Sequence, residues 1–309
     1  MGSKVLGVTN PANEGLLESW ELSLHAKASG TTILYLRTAH WFADWLEAND
    51  RPAEAPGDLL AVSRQDAEAW FGAQRAAGLT ASTLRSRWIA LRNLYGWAHE
   101  EEEIAENPMR KVRVEKANAQ PIRVLSPGDL AALLKACEGT TYMDRRDMAL
   151  IRVMLSTGLR LAEVMNLRIE DIDLVKRVLF VQHGKGDRAR FARFDPATAQ
   201  ALDRYKRARA RHPHAKEPWL WLARLGRFGV KGVPFLLVRR AELAGIGHVH
   251  PHMLRHTWAD RCKTAGMSDS DLKQLGGWES DEVMRRYGSA RAVDRALAAY
   301  DTSSPMEGL

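Results

Sequence analysis

The sequence predicts a mainly α-helical protein in two parts: a helical N-terminal domain, then a larger, mostly helical domain carrying one small antiparallel β-sheet. Three observations lead there. Apolar residues recur at the three- and four-residue spacing of a helix face through most of the chain. That period gives way to strand-like alternation between Ile172 and Phe194. The chain is 309 residues long, about twice the usual single-domain length, and its charge balance changes partway along.

Taken in order, residues 1–13 read as a tail and 14–107 as the first domain. Leu17, Trp20 and Leu24, then Leu34, Leu36, Trp41 and Trp45, mark helical faces between Leu16 and Ala48, with a break expected at Ser29-Gly30-Thr31-Thr32. Pro52, Pro56 and Gly57 mark a loop. Ser63 is placed to cap a third helix that runs to Ala77 and is closed by Gly78. Thr80 opens a fourth, which carries Leu84, Trp88, Leu91, Leu94 and Trp97 along one face and ends in the acidic run Glu100 to Glu103. Because these aromatics follow a helix face, the spacing assigns them to a core rather than to a base-stacking platform.

Residues 108–122 read as a basic linker, with Arg110, Lys111, Arg113 and Lys116 and few large apolar groups. The second domain, 123–309, opens at Ser126-Pro127, an N-cap followed by proline in the first turn. Helices are expected over Asp129–Glu138 and Asp144–Thr157, the latter broken by Gly158, and again over Arg160–Leu167. Val175, Val178, Phe180 and Val181, the turn at Gly184-Lys185-Gly186-Asp187, then Phe191 and Phe194, give a hairpin pattern. Helical texture returns over Pro196–Arg211 and from Pro234 to the end, and no internal repeat is present.

Composition narrows the function classes. Hydrophobic residues are 45% and charged residues 27% of the chain, an ordinary globular balance that argues against disorder. No apolar run approaches the ~18 residues of a membrane span. The first ten residues lack the apolar stretch of a signal peptide, and two cysteines, Cys137 and Cys262, are too few for a disulfide framework, so a cytoplasmic, reducing location is expected. Residues 1–120 hold 13 Lys and Arg against 16 Asp and Glu; the remaining residues hold 32 of the 45 basic and 22 of the 38 acidic residues, a balance of +10. A basic second part calls for a polyanion partner, nucleic acid first.

Five local patterns in the second part carry chemistry-bearing residues. Thr157-Gly158-Leu159-Arg160-Leu161-Ala162-Glu163 sets an arginine at a helix start; taken alone, it also reads as a surface Arg paired with Glu163. Gly184-Lys185-Gly186 sets a lysine at a hairpin tip. Pro251-His252-Met253-Leu254-Arg255-His256 puts His252 and Arg255 on one helical face. Gly276-Gly277-Trp278 ends a loop, and Tyr287 sits nine residues later, after the basic pair Arg285-Arg286. In this order, and with the Thr83–Ala98 helix followed by Asn107-Pro108, the chain from about Leu16 to Tyr300 resembles the tyrosine recombinase (phage integrase) family.

That resemblance implies the family's fold: a core-binding domain followed by a catalytic domain. It also implies a reaction that needs neither metal, cofactor nor ATP. A phosphodiester is an anion that repels nucleophiles, so an enzyme without a metal must supply cations, a nucleophile and a proton for the departing oxygen. By the resemblance, Arg160 and Arg255 clamp the non-bridging oxygens, and Tyr287 attacks phosphorus to give a 3′-phosphotyrosyl link and a free 5′-hydroxyl. Lys185 protonates that leaving oxygen, while His252 serves as base or hydrogen-bond partner for the tyrosine. Glu163 occupies a supporting acidic position that orients Arg160 or a neighbour. Trp278 stands where histidine is common in the family; its indole N–H is expected to donate to a phosphate oxygen while the ring packs on the tyrosine-bearing segment, and it cannot shuttle protons.

Lys27, Thr31, Thr32, Arg85, Arg87 and Arg92 in the first domain, Arg110, Lys111 and Arg113 in the linker, and Arg188 and Arg190 on the hairpin are the expected DNA contacts. His256 is expected to be structural, and Tyr300 to pack in an apolar helix. The partners the resemblance implies are double-stranded DNA with core-type attachment sites, a homotetramer passing through a Holliday junction, and an accessory directionality factor, with exchange of residues Asp294 to Tyr300 between subunits. Residues before Leu16 leave no room for the arm-binding domain of many phage integrases, so a compact integrase or a chromosome-dimer or plasmid resolvase is expected. Three rivals fare worse. A zinc hydrolase built on His248, His250, His252 and His256 lacks the glutamate of an H-E-x-x-H site, since Met253 holds that place. A non-catalytic DNA-binding relative would not need the full residue set, and a type IB topoisomerase fits the N-terminal helical domain less well.

Overall fold

The computed structural model of the chain describes residues 11–49, 57–115, 123–182, 189–278 and 300. The chain divides into two compact units, 1–119 and 120–309. The architecture is mainly helical with small antiparallel sheets.

In the first unit, α1 (Pro11–Ser23), α2 (Ser29–Ala48), α3 (Arg64–Ala76) and α4 (Ala81–Glu100) surround one core, with α2 and α4 as its central pair. Trp20, Phe42, Trp70, Phe71, Trp88, Leu91 and Leu94 are buried there, so the aromatic spacing does mark a core. Local caps set the boundaries. Ser63 and Asp66 form a capping box at α3, and Thr80 accepts from the Thr83 amide at α4.

Three boundaries differ from those read in the sequence. Ser29-Gly30-Thr31-Thr32 is the first turn of α2, not a break; the interruption falls just before it, and small polar residues are at home where the first amides lack helical acceptors. The tail expected over 1–13 ends sooner, because α1 begins at Pro11 and Asn13 is buried. The Asn13 amide donates to Gly57 O (2.8 Å) and its carbonyl accepts from Leu59 N (3.0 Å). The expected linker is also partly core: Met109, Val112 and Val114 are buried in the same cluster, and Trp88 Nε1 donates to Val112 O (3.1 Å). Exposed Lys111, Arg113 and Glu115 alternate with those valines, which hides a packed extended segment inside a basic one.

The second unit is built around α6 (Tyr142–Thr157), which packs on α8 (Pro196–Arg209) and α10 (Pro251–Thr264). α5 (Pro127–Lys135) packs on α9 (Gly232–Ala244); α7 (Leu161–Asn166) follows α6, and α11 (Asp269–Gly276) follows α10. Strands β1 (Ile172–Asp173), β2 (Val178–Val181) and β3 (Arg190–Arg193) form an antiparallel sheet in that order, with Val181 opposite Arg190. The hairpin is present, but its tip, with Gly184, Lys185 and Arg188, lies outside the described residues. A second ribbon pairs β4 (Leu222–Ala223) with β5 (Gly226–Arg227). No alternation could announce it, since each strand is two residues long. The helical texture after Pro234 resolves into α9, α10 and α11, and residues 279–299, including Tyr287, lie outside the described residues. Tyr300 is 57% exposed rather than packed.

No helix among the described residues is long and apolar enough to cross a membrane. Cys137 is buried and Cys262 half-buried, and neither is in a disulfide.

One buried ion network ties the helices of this unit. Arg240 donates to Asp144 (2.9 Å), Asp147 (2.9 Å) and Ala136 O (2.8 Å), and Asp147 also accepts from Arg146 (2.8 Å). Removing one member of such a network leaves charge buried without compensation. Arg240→Ala should therefore destabilise the protein by about 3–5 kcal/mol, read as a lower urea midpoint at unchanged slope.

Candidate active site

The site is assembled from helix ends. α6 stops because Gly158 turns left-handed (φ 60°), and a Cβ at this position would lie 2.0 Å from the Trp258 ring. Only glycine allows both the turn and the contact. The chain then re-enters a helix with Arg160 at the N-cap of α7, and Glu163 three residues on reaches back to accept from Arg160 N (2.7 Å).

Glu163 is the meeting point of two guanidinium groups. Its Oε1 accepts from Arg160 Nη1 (3.1 Å) and Arg190 Nη1 (3.0 Å), and its Oε2 accepts from Arg190 Nη2 (2.7 Å). The Glu163 side chain is 5% exposed. Burial alone would raise its carboxyl, but hydrogen bonds from Arg190 and from the Arg160 backbone, with both guanidinium charges, hold it below the usual carboxylate range. Arg190, expected as a phosphate contact, is here the bidentate partner of Glu163. Its side chain is 15% exposed and both terminal nitrogens are committed to Glu163.

The two expected clamp arginines reach adjacent carbonyls at the end of α11. Arg160 Nη2 donates to Gly277 O, while Arg255 Nη2 donates to Gly276 O (2.7 Å). Arg255 Nη1 donates to Gly158 O (2.5 Å), so this residue, only 4% exposed, joins the ends of α6 and α11. Gly277 is left-handed as well (φ 65°), and a Cβ there would sit 3.2 Å from Arg190 Cζ and 3.4 Å from Arg160 Nη1. Arg160 keeps a side chain 27% exposed, with donors beyond the two engaged here.

Trp278 lies under the Arg255 guanidinium (4.1 Å from Cζ to ring centre) and stacks on Trp258 (5.9 Å between centroids). Its described packing is against α10; the tyrosine-bearing segment expected beside it lies outside the described residues. His252 is exposed on α10, one turn before His256, with the rings 6.0 Å apart. Burial, then His252, His250 and Arg255, push His256 down to about 4. His250 caps α10, with Nδ1 accepting from Met253 N (3.3 Å), which requires an unprotonated Nδ1; burial and His252 lower it too. Among the described residues, no three His, Cys, Asp or Glu side chains are grouped to hold a metal ion.

In the first unit, the expected contact residues are held on aromatic faces. Arg85 (4.3 Å) and Arg92 (5.0 Å) lie over Trp88, Arg87 (4.3 Å) and Arg37 (4.6 Å) over Trp41, and Lys27 over Tyr35 (5.9 Å). Arg37 lies outside the expected contacts, and its signal in the sequence is its place one helical turn before Trp41. Arg87 also donates to Gln74 Oε1. Thr31 and Thr32 are half-buried in the first turn of α2, and Arg110, Lys111 and Arg113 are exposed. Lys185, Arg188 and Tyr287 lie outside the described residues.

A sequence profile of the phage integrase family matches residues 123–292, more than half of the chain. The tyrosine recombinase XerC of Bacillus licheniformis is 30% identical over 222 residues, covering 70% of this chain and 73% of that protein. XerC of Chromobacterium violaceum is 34% identical over 260 residues, covering 83% and 84%. Among solved structures, a Tn1549 transposon integrase in complex with transposon right end DNA aligns at TM-score 0.74 and 18% identity, over 93% of this chain and 98% of that one. A lambda integrase dimer bound to a core site aligns at TM-score 0.69 and 17% identity, over 90% and 96%. This chain belongs to the phage integrase family of tyrosine recombinases.

The histidine values set a pH dependence. A group whose pKa is lower folded than unfolded binds its proton more readily in the unfolded chain, so stability falls as pH drops through that interval. For His256 the interval runs from 6.5 down to about 4. Thermal melts should show His256→Gln losing less melting temperature than wild type between pH 7 and 4.5.

Proposed function

We propose that this chain is a site-specific DNA recombinase that cleaves and rejoins DNA through a 3′-phosphotyrosyl intermediate, with Tyr287 as nucleophile. One observation carries the reading: Arg160 and Arg255 converge on neighbouring carbonyls beside Gly276-Gly277-Trp278, nine residues before Tyr287 in the sequence.

The chemistry follows from what those groups offer. Arg160 and Arg255 bind the non-bridging oxygens of the scissile phosphate and stabilise the charge that grows there as the phosphorane forms. The Tyr287 oxygen attacks phosphorus, the bond to the 5′-oxygen breaks, and Lys185 supplies the proton to that oxygen. His252 accepts or shares the phenol proton, since a phenol of pKa about 10 is a poor nucleophile while protonated. The ester energy stays in the protein–DNA link, so the 5′-hydroxyl of a partner strand reseals it without ATP. Trp278 contributes an indole N–H and a surface that seats Arg255.

DNA is held by the basic second unit and by Lys27, Thr31, Thr32, Arg85, Arg87, Arg92, Arg110, Lys111 and Arg113, with Arg188 at the hairpin. The reaction is proposed to run in the bacterial cytoplasm, in a tetramer on paired core sites, through a Holliday junction and with an accessory factor setting direction. A resolvase of chromosome dimers or plasmids uses the same chemistry and is the alternative within the family.

Covalent capture tests the reading without a known target. Purified protein is incubated with fragmented host DNA in EDTA, denatured, and the DNA strands attached through their 3′ phosphates are sequenced. Wild type should yield adducts at a recurring site, and Tyr287→Phe should yield none while retaining binding. An adduct surviving in the variant would move the nucleophile elsewhere, to Tyr300 first. Loss of wild-type adducts in EDTA would overturn metal independence. On the recovered site, Arg160→Ala and Arg255→Ala should each lower single-turnover cleavage ~100- to 1,000-fold, well beyond their effect on binding.

The general acid is tested separately. Lys185→Ala should be rescued by a 5′-bridging phosphorothiolate, because sulfur departs without a proton. Equal impairment on oxygen and sulfur substrates would remove Lys185 from this role.

A further inference from the structure

We propose that Arg190 is a positioning residue of the cleavage reaction: by gripping Glu163 with two hydrogen bonds, it holds the Arg160 guanidinium in place and leaves its charge for the scissile phosphate. The inference rests on the recombinase reading above.

Glu163 has two oxygens and receives four donors: two from Arg190, and the backbone N–H and one Nη of Arg160. Arg190 takes the paired, fork-on-carboxylate geometry, the stronger and more directional of the two arrangements. Arg160 keeps a single side-chain bond to the acid and places its other terminal nitrogen on Gly277 O. The division of labour is visible in burial, with Arg190 at 15% and Arg160 at 27% side-chain exposure. Arg190 Nε is buried and has no hydrogen-bond partner among the described residues, so this side chain accepts one unsatisfied donor to keep its fork on Glu163.

Charge gives the second half of the argument. Two guanidinium groups and one carboxylate leave one net positive charge, carried by the more exposed arginine. Without Arg190, the carboxylate's remaining guanidinium partner is Arg160, three residues away. The fork would then pass to Arg160, turning it from Gly277 and cancelling its charge in a buried pair. Position reinforces this role. Arg190 is the first residue of β3, opposite Val181 at the end of β2, so the ion pair fastens the turn end of the hairpin's strands to the start of α7.

The test compares two substrates carrying the attachment sequence recovered by adduct sequencing: an ordinary scissile phosphodiester, and a methylphosphonate, which has no negative charge for Arg160 to meet. On the phosphodiester, Arg190→Gln should lower single-turnover cleavage about 10- to 100-fold, with binding changed by less than about threefold. On the methylphosphonate, the same substitution should cost less than about threefold. In an Arg160→Ala background, Arg190→Gln should add no further loss, since the group it positions is gone. Arg190→Lys, which keeps the charge but not the fork, should fall between wild type and Arg190→Gln, and it carries the comparison if circular dichroism shows Arg190→Gln unfolded. Equal losses on both substrates, or an additive loss beside Arg160→Ala, would overturn the positioning role alone. A wild type that forms no adduct would overturn the recombinase reading and this inference with it.

Discussion

A site that must bind an anion with several cations faces their mutual repulsion before the anion arrives. Two unit charges about 4 Å apart repel by roughly 4 kcal/mol at an effective dielectric of 20. The shared Glu163 carboxylate meets that constraint between Arg160 and Arg190. It stays ionised because its hydrogen bonds outweigh its burial. It also caps the helix on which it stands, so one side chain fixes the start of α7, the edge of the sheet and the direction of Arg160.

Arg255 is stabilised differently, by backbone carbonyls at two helix ends. The last carbonyls of a helix lack intrahelical donors and carry partial negative charge, which makes them natural seats for a guanidinium. Gly158 and Gly276 supply them. Trp278 below Arg255 and Trp258 beside Trp278 close the arrangement with apolar surface. Helix ends, more than helix faces, build this site.

Legibility in the sequence followed the range of each signal. Ser63, Thr80 and Ser126 marked helix starts correctly because a cap is settled within three residues. Arg160, Glu163, His252 and Arg255 could be singled out because their order and spacing follow a family pattern. The pairing of Arg190 with Glu163 is not legible in the sequence, because it depends on strand register and no local pattern joins the two. The fit of Trp258 against Gly158 is equally hidden, since the two residues are 100 positions apart and meet only when α10 packs on α6. Val112 and Val114 are hidden in a basic stretch whose described charges, Arg110, Lys111, Arg113 and Glu115, face outward. Two-residue strands such as β4 and β5 are too short to declare a period.

The paired arginines over Trp41 and Trp88 carry a thermodynamic consequence. A long cationic side chain on an open surface samples many rotamers, and immobilising it against a ligand costs about 0.5–1.5 kcal/mol of entropy. Here four such chains already lie over indole rings in the free protein. Part of that ordering is therefore complete before any polyanion arrives, and what remains is the exchange of small counterions for fixed phosphates. Such a face should take up a polyanion with little loss of side-chain motion, and its affinity should follow ionic strength more closely than temperature.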